Sequence, residues 1–123
     1  LNTFTEGLFN GDPVMRYWSV IGLLLLEKKG KPAIPELKKV LGDQDEIPSF
    51  AAWAIYKAGD QDFANDWMLK EITVNPENKI LANILDWMDE EGFSILAEIP
   101  EERLPKKGLL KDVVGRYKVR MGS

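Results

Sequence analysis

The chain has 123 residues, of which 45% are hydrophobic and 29% charged, with a formal net charge of −4 at neutral pH. Its length is typical of one globular domain, and its acidic balance argues against a general nucleic-acid or anionic-lipid binder, which needs a basic face. Cysteine and histidine are both absent, which excludes disulfides, thiolate catalysis, cysteine-based metal centres and the commonest general base.

The first long helix is predicted from Asp12 to Lys29. Asp12 offers a capping oxygen, and Pro13 has the fixed φ of a first helical residue. Apolar side chains then recur at spacings of three and four, which predicts an inward stripe: Val14, Tyr17, Val20, Ile21, Leu24 and Leu25. Further apolar residues widen this stripe nearly all round, so we expect the helix to lie between neighbours, and Gly30 to form its C-cap.

A second, shorter helix is predicted after Pro32, so that the first helix pair covers about residues 12–43. The second pair covers about residues 47–72. Ile47-Pro48 opens its first helix, and Gly59-Asp60 ends that helix and caps the next one. The apolar run at 20–26 is far shorter than the roughly 20 residues that span a bilayer.

A third pair is predicted over about residues 75–99. Gly92 ends its first helix, and its short second helix contains Phe93, Ile95, Leu96 and Ile99. The third pair is followed by a closing helix within about 107–121. The dipeptide Asn75-Pro76, which opens the third helix pair, follows Asp12-Pro13 by 63 residues. Helix starts at about half that interval indicate a repeated helix–turn–helix unit. Strand signals are weak. The sequence therefore predicts an all-α, single-domain α-α superhelix of about three repeats.

The repeats resemble HEAT-type repeats, in which antiparallel helix pairs stack into a superhelix. The stretch from Asp12 to Leu23, DPVMRYWSVIGL, is similar to the DPxVRYWAxxGL signature of repeats near the C-terminus of many bacterial sulfatase-family proteins. Residues 56–60 (YKAGD) and 81–86 (LANILD) resemble the matching parts of the second and third units. Arg116 and Tyr117 lie where such proteins place a terminal aromatic-basic helix.

The chain also departs from that family pattern. Ser49 and Asn78 stand where a basic residue is usual in the second and third repeats. The sulfatase active-site signature, a Cys or Ser in a Cys/Ser-x-Pro-x-Arg run with metal ligands, is missing from this sequence. We therefore expect no enzymatic activity, catalytic residue, metal or cofactor in this chain, and expect any catalytic domain to lie upstream in a longer protein.

Four tryptophans could form a sugar-stacking surface or fill the core between helix layers. Trp53 and Trp67 lie within apolar stripes, which favours the core for both. Trp18 and Trp87 lie at stripe edges and are predicted to be partly exposed contacts. Arg16, one turn after Asp12, could mark an anion site, but a structural pairing with an acidic or carbonyl partner is favoured.

The charged segments also have two interpretations each. The carboxylates at 43–46, 60–62 and 89–91 match no calcium-loop spacing and are expected in solvated turns and caps. The basic C-terminal stretch at 106–120 could be a binding tail or the polar outer face of a terminal repeat, and the second is favoured. The candidate interaction surface thus comprises Trp18, Trp87, Arg16, Arg116 and Tyr117.

The favoured function is a non-catalytic scaffold, the C-terminal accessory region of a sulfatase-like hydrolase that packs on the catalytic domain or assists substrate presentation. The expected partner is that domain or another protein, with no nucleic acid and no membrane. The resemblance implies a periplasmic or secreted location, although the sequence itself assigns none. The alternative is a free-standing HEAT-repeat adaptor, and a helical-repeat DNA-lesion enzyme is disfavoured by the acidic charge.

Overall fold

A computed structural model describes residues 2–90, 95–98 and 100–122. Throughout these residues the regular structure is helical and no strand occurs, which confirms the predicted all-α class. The α-helices are α1 (Asn2–Gly7), α2 (Pro13–Leu26), α3 (Ile34–Lys39), α4 (Ile47–Ala58), α5 (Gln61–Val74), α6 (Lys79–Glu90) and α7 (Gly108–Arg120). Short 3-10 helices cover Glu27–Ala33, Ile95–Glu98 and Glu101–Arg103. The predicted Gly92, Phe93 and Ile99 lie outside the described residues.

The chain divides into two compact units, residues 1–66 and residues 67–123. The N-terminal unit contains α1 to α4 and the start of α5. The C-terminal unit contains the rest of α5, with α6 and α7.

Helix α2 begins as predicted but ends earlier. The Asp12 carboxylate accepts a hydrogen bond from the Val14 backbone N–H at 2.9 Å, and Pro13 is the first helical residue. The C-cap is Glu27, with φ of 53° and its N–H bonded to the Leu24 carbonyl, so the predicted Gly30 cap is wrong. Gly30 instead lies buried in the following 3-10 helix, where an added Cβ would come within 3.2 Å of the Leu23 carbonyl oxygen.

Helix α4 is the centre of the N-terminal unit. It packs against α2, α3 and the 3-10 helix between them. Ten of its residues are buried, and they cover nearly its whole circumference: Ile47, Pro48, Ser49, Phe50, Ala51, Ala52, Trp53, Ala54, Ile55 and Ala58. The small side chains of Ala51, Ala52 and Ala54 let neighbouring helices approach closely. Gly59 ends the helix with φ of 120°, as predicted.

The short helix α1 packs against α2 through small residues, and the sequence analysis did not predict it. Gly7 is buried, and a Cβ there would lie 1.8 Å from the Ser19 hydroxyl oxygen. On the next turns of α2, a Cβ on Gly22 would lie 2.5 Å from the Phe4 ring. The two glycines therefore allow a close approach that any larger side chain would block.

In the C-terminal unit, α6 begins at Lys79 rather than at Pro76. The Asn78 side-chain oxygen caps α6 by accepting from the Leu81 N–H at 2.9 Å. The Pro76 carbonyl instead accepts from the Leu110 N–H at 3.1 Å, at the start of α7. This tertiary bond substitutes for a side-chain cap, since Lys107 provides none. The predicted closing helix is confirmed as α7, which buries Leu110, Val113 and Val114.

Candidate interaction surface

The outer side of α2 carries apolar side chains that remain in solvent. Trp18 is 61% exposed, Leu25 75% and Val14 60%, and Tyr17 is also exposed. Spacings of three, four and seven residues place these four side chains on one face of the helix, which we call the α2 outer face. We expected Val14, Tyr17 and Leu25 inside the core, and this prediction is wrong.

The core-facing side of α2 is offset from the predicted stripe. It buries Ser19, Val20, Leu23 and Leu24, which lie toward α1 and α4. Apolar residues cover two sides of α2, and the described neighbours cover only one of them. Helix α2 does lie between neighbours, as expected, because it contacts α1, α4 and the 3-10 helix that follows it, but these neighbours leave one apolar side exposed.

An aromatic chain links the α2 outer face to the core. The Tyr17 ring meets the Trp18 ring edge-on, with centroids 5.4 Å apart and planes at 74°. On its other side Tyr17 meets Phe50 of α4 in the same manner, at 5.6 Å and 85°. Phe50 is buried. Edge-to-face contacts of this kind stabilise both rings, so Tyr17 fixes the orientation of its exposed neighbour Trp18 against the core.

Arg16 lies on the first turns of α2 and serves a structural role. Its Nε–H donates to the Leu8 carbonyl at 2.9 Å, and its guanidinium forms ion pairs with Asp43 and, at 2.5 Å, with Asp45. The Arg16 side chain is only 18% exposed. Asp45 also accepts from the Ile47 N–H at 3.0 Å and thereby holds the start of α4. Arg16 thus links the first turn of α2 to the Leu8 carbonyl and to the turn that precedes α4.

This arrangement agrees with the favoured structural interpretation of Arg16 and changes one detail. The acidic partners lie in the turn after α3. Asp12 instead accepts from the backbone N–H groups of Arg16 and Val14. The expectation that Asp43 and Asp45 lie in interhelix turns and caps is also met. Arg16 uses three of its donors within the chain, which leaves fewer of them for an anion.

The C-terminal unit carries the other predicted surface residues. Trp87 is 44% exposed on α6, opposite a buried side formed by Leu81, Ile84, Leu85 and Met88. On α7, Tyr117 is half-buried and Arg116 is exposed. Trp18 and Trp87 belong to different units. Of the two tryptophans predicted for the core, Trp53 is buried and Trp67 is half-buried.

Arg116 forms a two-pronged pair with Asp86 of α6. Its Nε and one terminal nitrogen donate to the two carboxylate oxygens at 3.2 and 2.7 Å. The hydrogen bond with Asp86 raises the pKa of Arg116 above its ordinary value, and partial burial opposes this effect. A raised pKa stabilises the fold at every pH below the ordinary pKa of arginine. The charge of Arg116, and its part in this pair, is therefore constant across the neutral range.

Sequence reasoning missed two members of the α2 outer face. It did not select Val14 or Leu25 because both fit the helical period of a core stripe, although both are exposed. The one available signal was the width of the stripe. A helix that is apolar on nearly all sides has either neighbours on all sides or a face left for a partner.

The part of the chain that the structure describes contains neither a cluster of metal ligands nor a membrane-spanning helix. Within those residues no three or more carboxylate side chains come together as metal ligands. The described helices also include none with the length and apolar content needed to cross a bilayer.

Comparison of the chain with protein-family models, with curated proteins and with solved structures found no match.

Proposed function

We propose that this chain is a non-catalytic interaction domain built from HEAT-like helix pairs, and that it packs on the catalytic domain of a sulfatase-like hydrolase. The observation that carries the proposal is the α2 outer face, where Val14, Tyr17, Trp18 and Leu25 are exposed together. The sulfatase context rests on the resemblance of residues 12–23 to the repeats of that family.

The packing of the N-terminal unit supports the repeat architecture. Helices α2 and α4, the first members of two successive predicted pairs, pack directly on each other. Stacked repeats make this contact between equivalent helices of neighbouring units. A stack also needs a polar outer face wherever it meets solvent. The α2 outer face is apolar, so a stack beginning with α2 is complete only when another surface covers it.

The composition of the α2 outer face suits protein contact. Tryptophan and tyrosine are enriched among the residues that contribute most to binding free energy. Trp18 is large and exposed, and its contact with Tyr17 fixes its orientation before a partner arrives. Preordering of this kind lowers the entropy lost on binding. A contiguous exposed apolar patch is itself a mark of an interaction site in a soluble protein.

The test begins with the open reading frame that contains this segment, from which the predicted upstream catalytic domain is expressed separately. We expect the two pieces to bind in solution, measured by calorimetry, with a blue shift of tryptophan emission as Trp18 leaves water. Val14→Asp should weaken binding about tenfold or more, which corresponds to about 1.4 kcal/mol, because it places a charge in the apolar contact.

Val74→Asp is the matched control. Val74 is 80% exposed at the end of α5, so the same substitution there should leave the affinity unchanged. Equal effects of the two variants would show that the α2 outer face is not the contact. A reading frame without a catalytic domain would refute the sulfatase context, and a different protein that binds the chain with the same Val14 dependence would favour an adaptor instead.

A further inference from the structure

The turn between α1 and α2 contains a reactive pair of residues, Asn10-Gly11. Both residues are exposed and lie outside the helices, and Asn10 is the only asparagine in the chain that precedes a glycine. In such a pair the backbone nitrogen of the glycine can attack the side-chain amide carbon of the asparagine and close a cyclic imide, a succinimide. Glycine permits this attack best, because it has no Cβ to crowd the nitrogen or to restrict the backbone.

The contacts of this turn leave the reacting groups available. The Gly11 N–H, which supplies the attacking nitrogen, donates to no residue in the part of the chain that the structure describes. An added Cβ on Gly11 would meet no atom within 4 Å, so there is space around this backbone. The amide nitrogen of Asn10, the leaving group, likewise has no partner among the described residues. Both groups are therefore free to react.

The side-chain carbonyl of Asn10 is held where a donor activates it. Its Oδ1 accepts a hydrogen bond from the Asp12 backbone N–H at 2.8 Å. Oδ1 takes up negative charge when nitrogen adds to the amide carbon, and a donor already fixed at about 2.7–3.1 Å stabilises such a charge. The carboxylate of Asp12 is directed to the Val14 N–H instead. The turn thus resembles a small oxyanion hole around the reacting carbonyl.

Other asparagines of the chain differ from Asn10 in these features. Asn75 precedes Pro76, whose nitrogen carries no hydrogen and cannot attack. At Asn78 both ends of the side-chain amide are engaged, because Nδ2 donates to Glu71 at 3.0 Å and Oδ1 accepts from the Leu81 N–H at 2.9 Å. The remaining asparagines lie within helices, which fix the backbone: Asn2, Asn65 and Asn83.

We propose that Asn10 is a site of spontaneous deamidation and isomerisation in the folded chain. The Gly11 nitrogen loses its proton to hydroxide and bonds to the Asn10 Cγ. The Cγ–Nδ2 bond then breaks, and the departing amide group takes a proton from water and leaves as ammonia. Water opens the succinimide at either carbonyl, which gives aspartate or isoaspartate. Each product adds a negative charge beside Asp12, and isoaspartate also lengthens the main chain between α1 and α2.

The test is incubation of the whole chain at mildly alkaline pH in heavy-oxygen water, followed by tryptic digestion and mass spectrometry. Residues 1–16 form the peptide that contains Asn10, and residues 71–79 form a control peptide with Asn75 and Asn78. We expect Asn10 of the folded chain to exchange its amide nitrogen for heavy oxygen, faster at higher pH because the Gly11 N–H must lose its proton. Asn78 should convert only in a parallel sample unfolded in urea.

Variants separate the chemistry of this pair from general ageing. Gly11→Ala should slow the conversion at least about tenfold, or about 1.4 kcal/mol in activation free energy, because the added methyl group crowds the attacking nitrogen. Gly42→Ala also adds a Cβ that meets no atom within 4 Å and should leave the rate unchanged. Asn10→Gln should stay intact, since its longer side chain would have to close a larger ring.

The proposal is overturned if Asn10 converts only in the unfolded sample, if Gly11→Ala converts as fast as the unmodified chain, or if Asn78 of the folded chain converts at the same rate as Asn10. None of these measurements depends on the α2 outer face or on its partner, so the outcome is independent of the proposed function.

Discussion

Helices α2 and α4 share two features of sequence but differ in environment. Each has proline in its first turn and an apolar content that nearly covers its circumference. Helix α4 is buried on almost all sides, whereas α2 buries one side and leaves Val14, Trp18 and Leu25 in solvent. An apolar helix is therefore not by itself evidence of a core position. What differs is how much of each helix its neighbours cover, since each of the two contacts three other elements.

The two sides of α2 also differ in the kinds of side chain that they carry. Its inner side is formed by small and aliphatic residues that fit closely against α1 and α4, such as Ser19 and Val20. Its outer side is formed by large, partly aromatic residues. Close-fitting small residues suit permanent packing, and exposed aromatic residues suit contact with a separate surface.

The largest expected effect contrasts the centre of α4 with the outer face of α2. Ile55→Ala should lower the free energy of unfolding by about 2–5 kcal/mol, because Ile55 is fully buried and its removal leaves a cavity. Leu25→Ala should change it by no more than about 0.5 kcal/mol, because Leu25 is already in solvent. Urea denaturation followed by circular dichroism measures both. A comparable loss for Leu25→Ala would mean that the α2 outer face is packed within the chain.

A smaller effect is expected on the covered side of α2. Gly7→Ala should destabilise the protein by about 1–3 kcal/mol, since the new methyl group would overlap Ser19 and force α1 away from α2. Gly11→Ala is the control, because an added Cβ there meets no atom within 4 Å. Thermal unfolding of the two variants gives the comparison. If Gly7→Ala were as stable as Gly11→Ala, α1 would not pack on α2 as closely as described.

Much of the helical organisation could be predicted from the sequence because its signals are local. The cap at Asp12, the start at Ile47-Pro48 and the C-cap at Gly59 each depend on a few neighbouring residues. Asn75-Pro76 gave the wrong start for α6 because the same dipeptide also suits a turn. The competing cap at Asn78 determined the outcome.

The partners of ion pairs and the exposure of side chains depend on contacts between residues that are distant in sequence, and periodicity does not reveal these contacts. The partners of Arg16 lie 27 and 29 positions away, so the sequence suggested an acidic partner without identifying it. The exposure of Trp18 and Trp87 agrees with their positions at stripe edges. The exposure of Leu25 could not be foreseen, because which side of α2 is covered depends on where α1 and α4 pack.

The smallest expected effect contrasts the N-termini of the two helices. Asp12→Ala should cost about 1 kcal/mol, because the Val14 N–H loses its side-chain acceptor. Glu46→Ala at the corresponding position of α4 should cost no more than about 0.5 kcal/mol, because Glu46 forms no side-chain cap and Asp45 already accepts from the Ile47 N–H. Chemical denaturation of both variants under the same conditions resolves this difference. Equal losses would indicate that the two helix starts are held by the same kind of bond, and that α4 depends on Glu46 in a way that its geometry does not suggest. A larger loss at Asp12 would show that α2, which leaves Val14, Trp18 and Leu25 in solvent, relies more than α4 on its own local cap for stability.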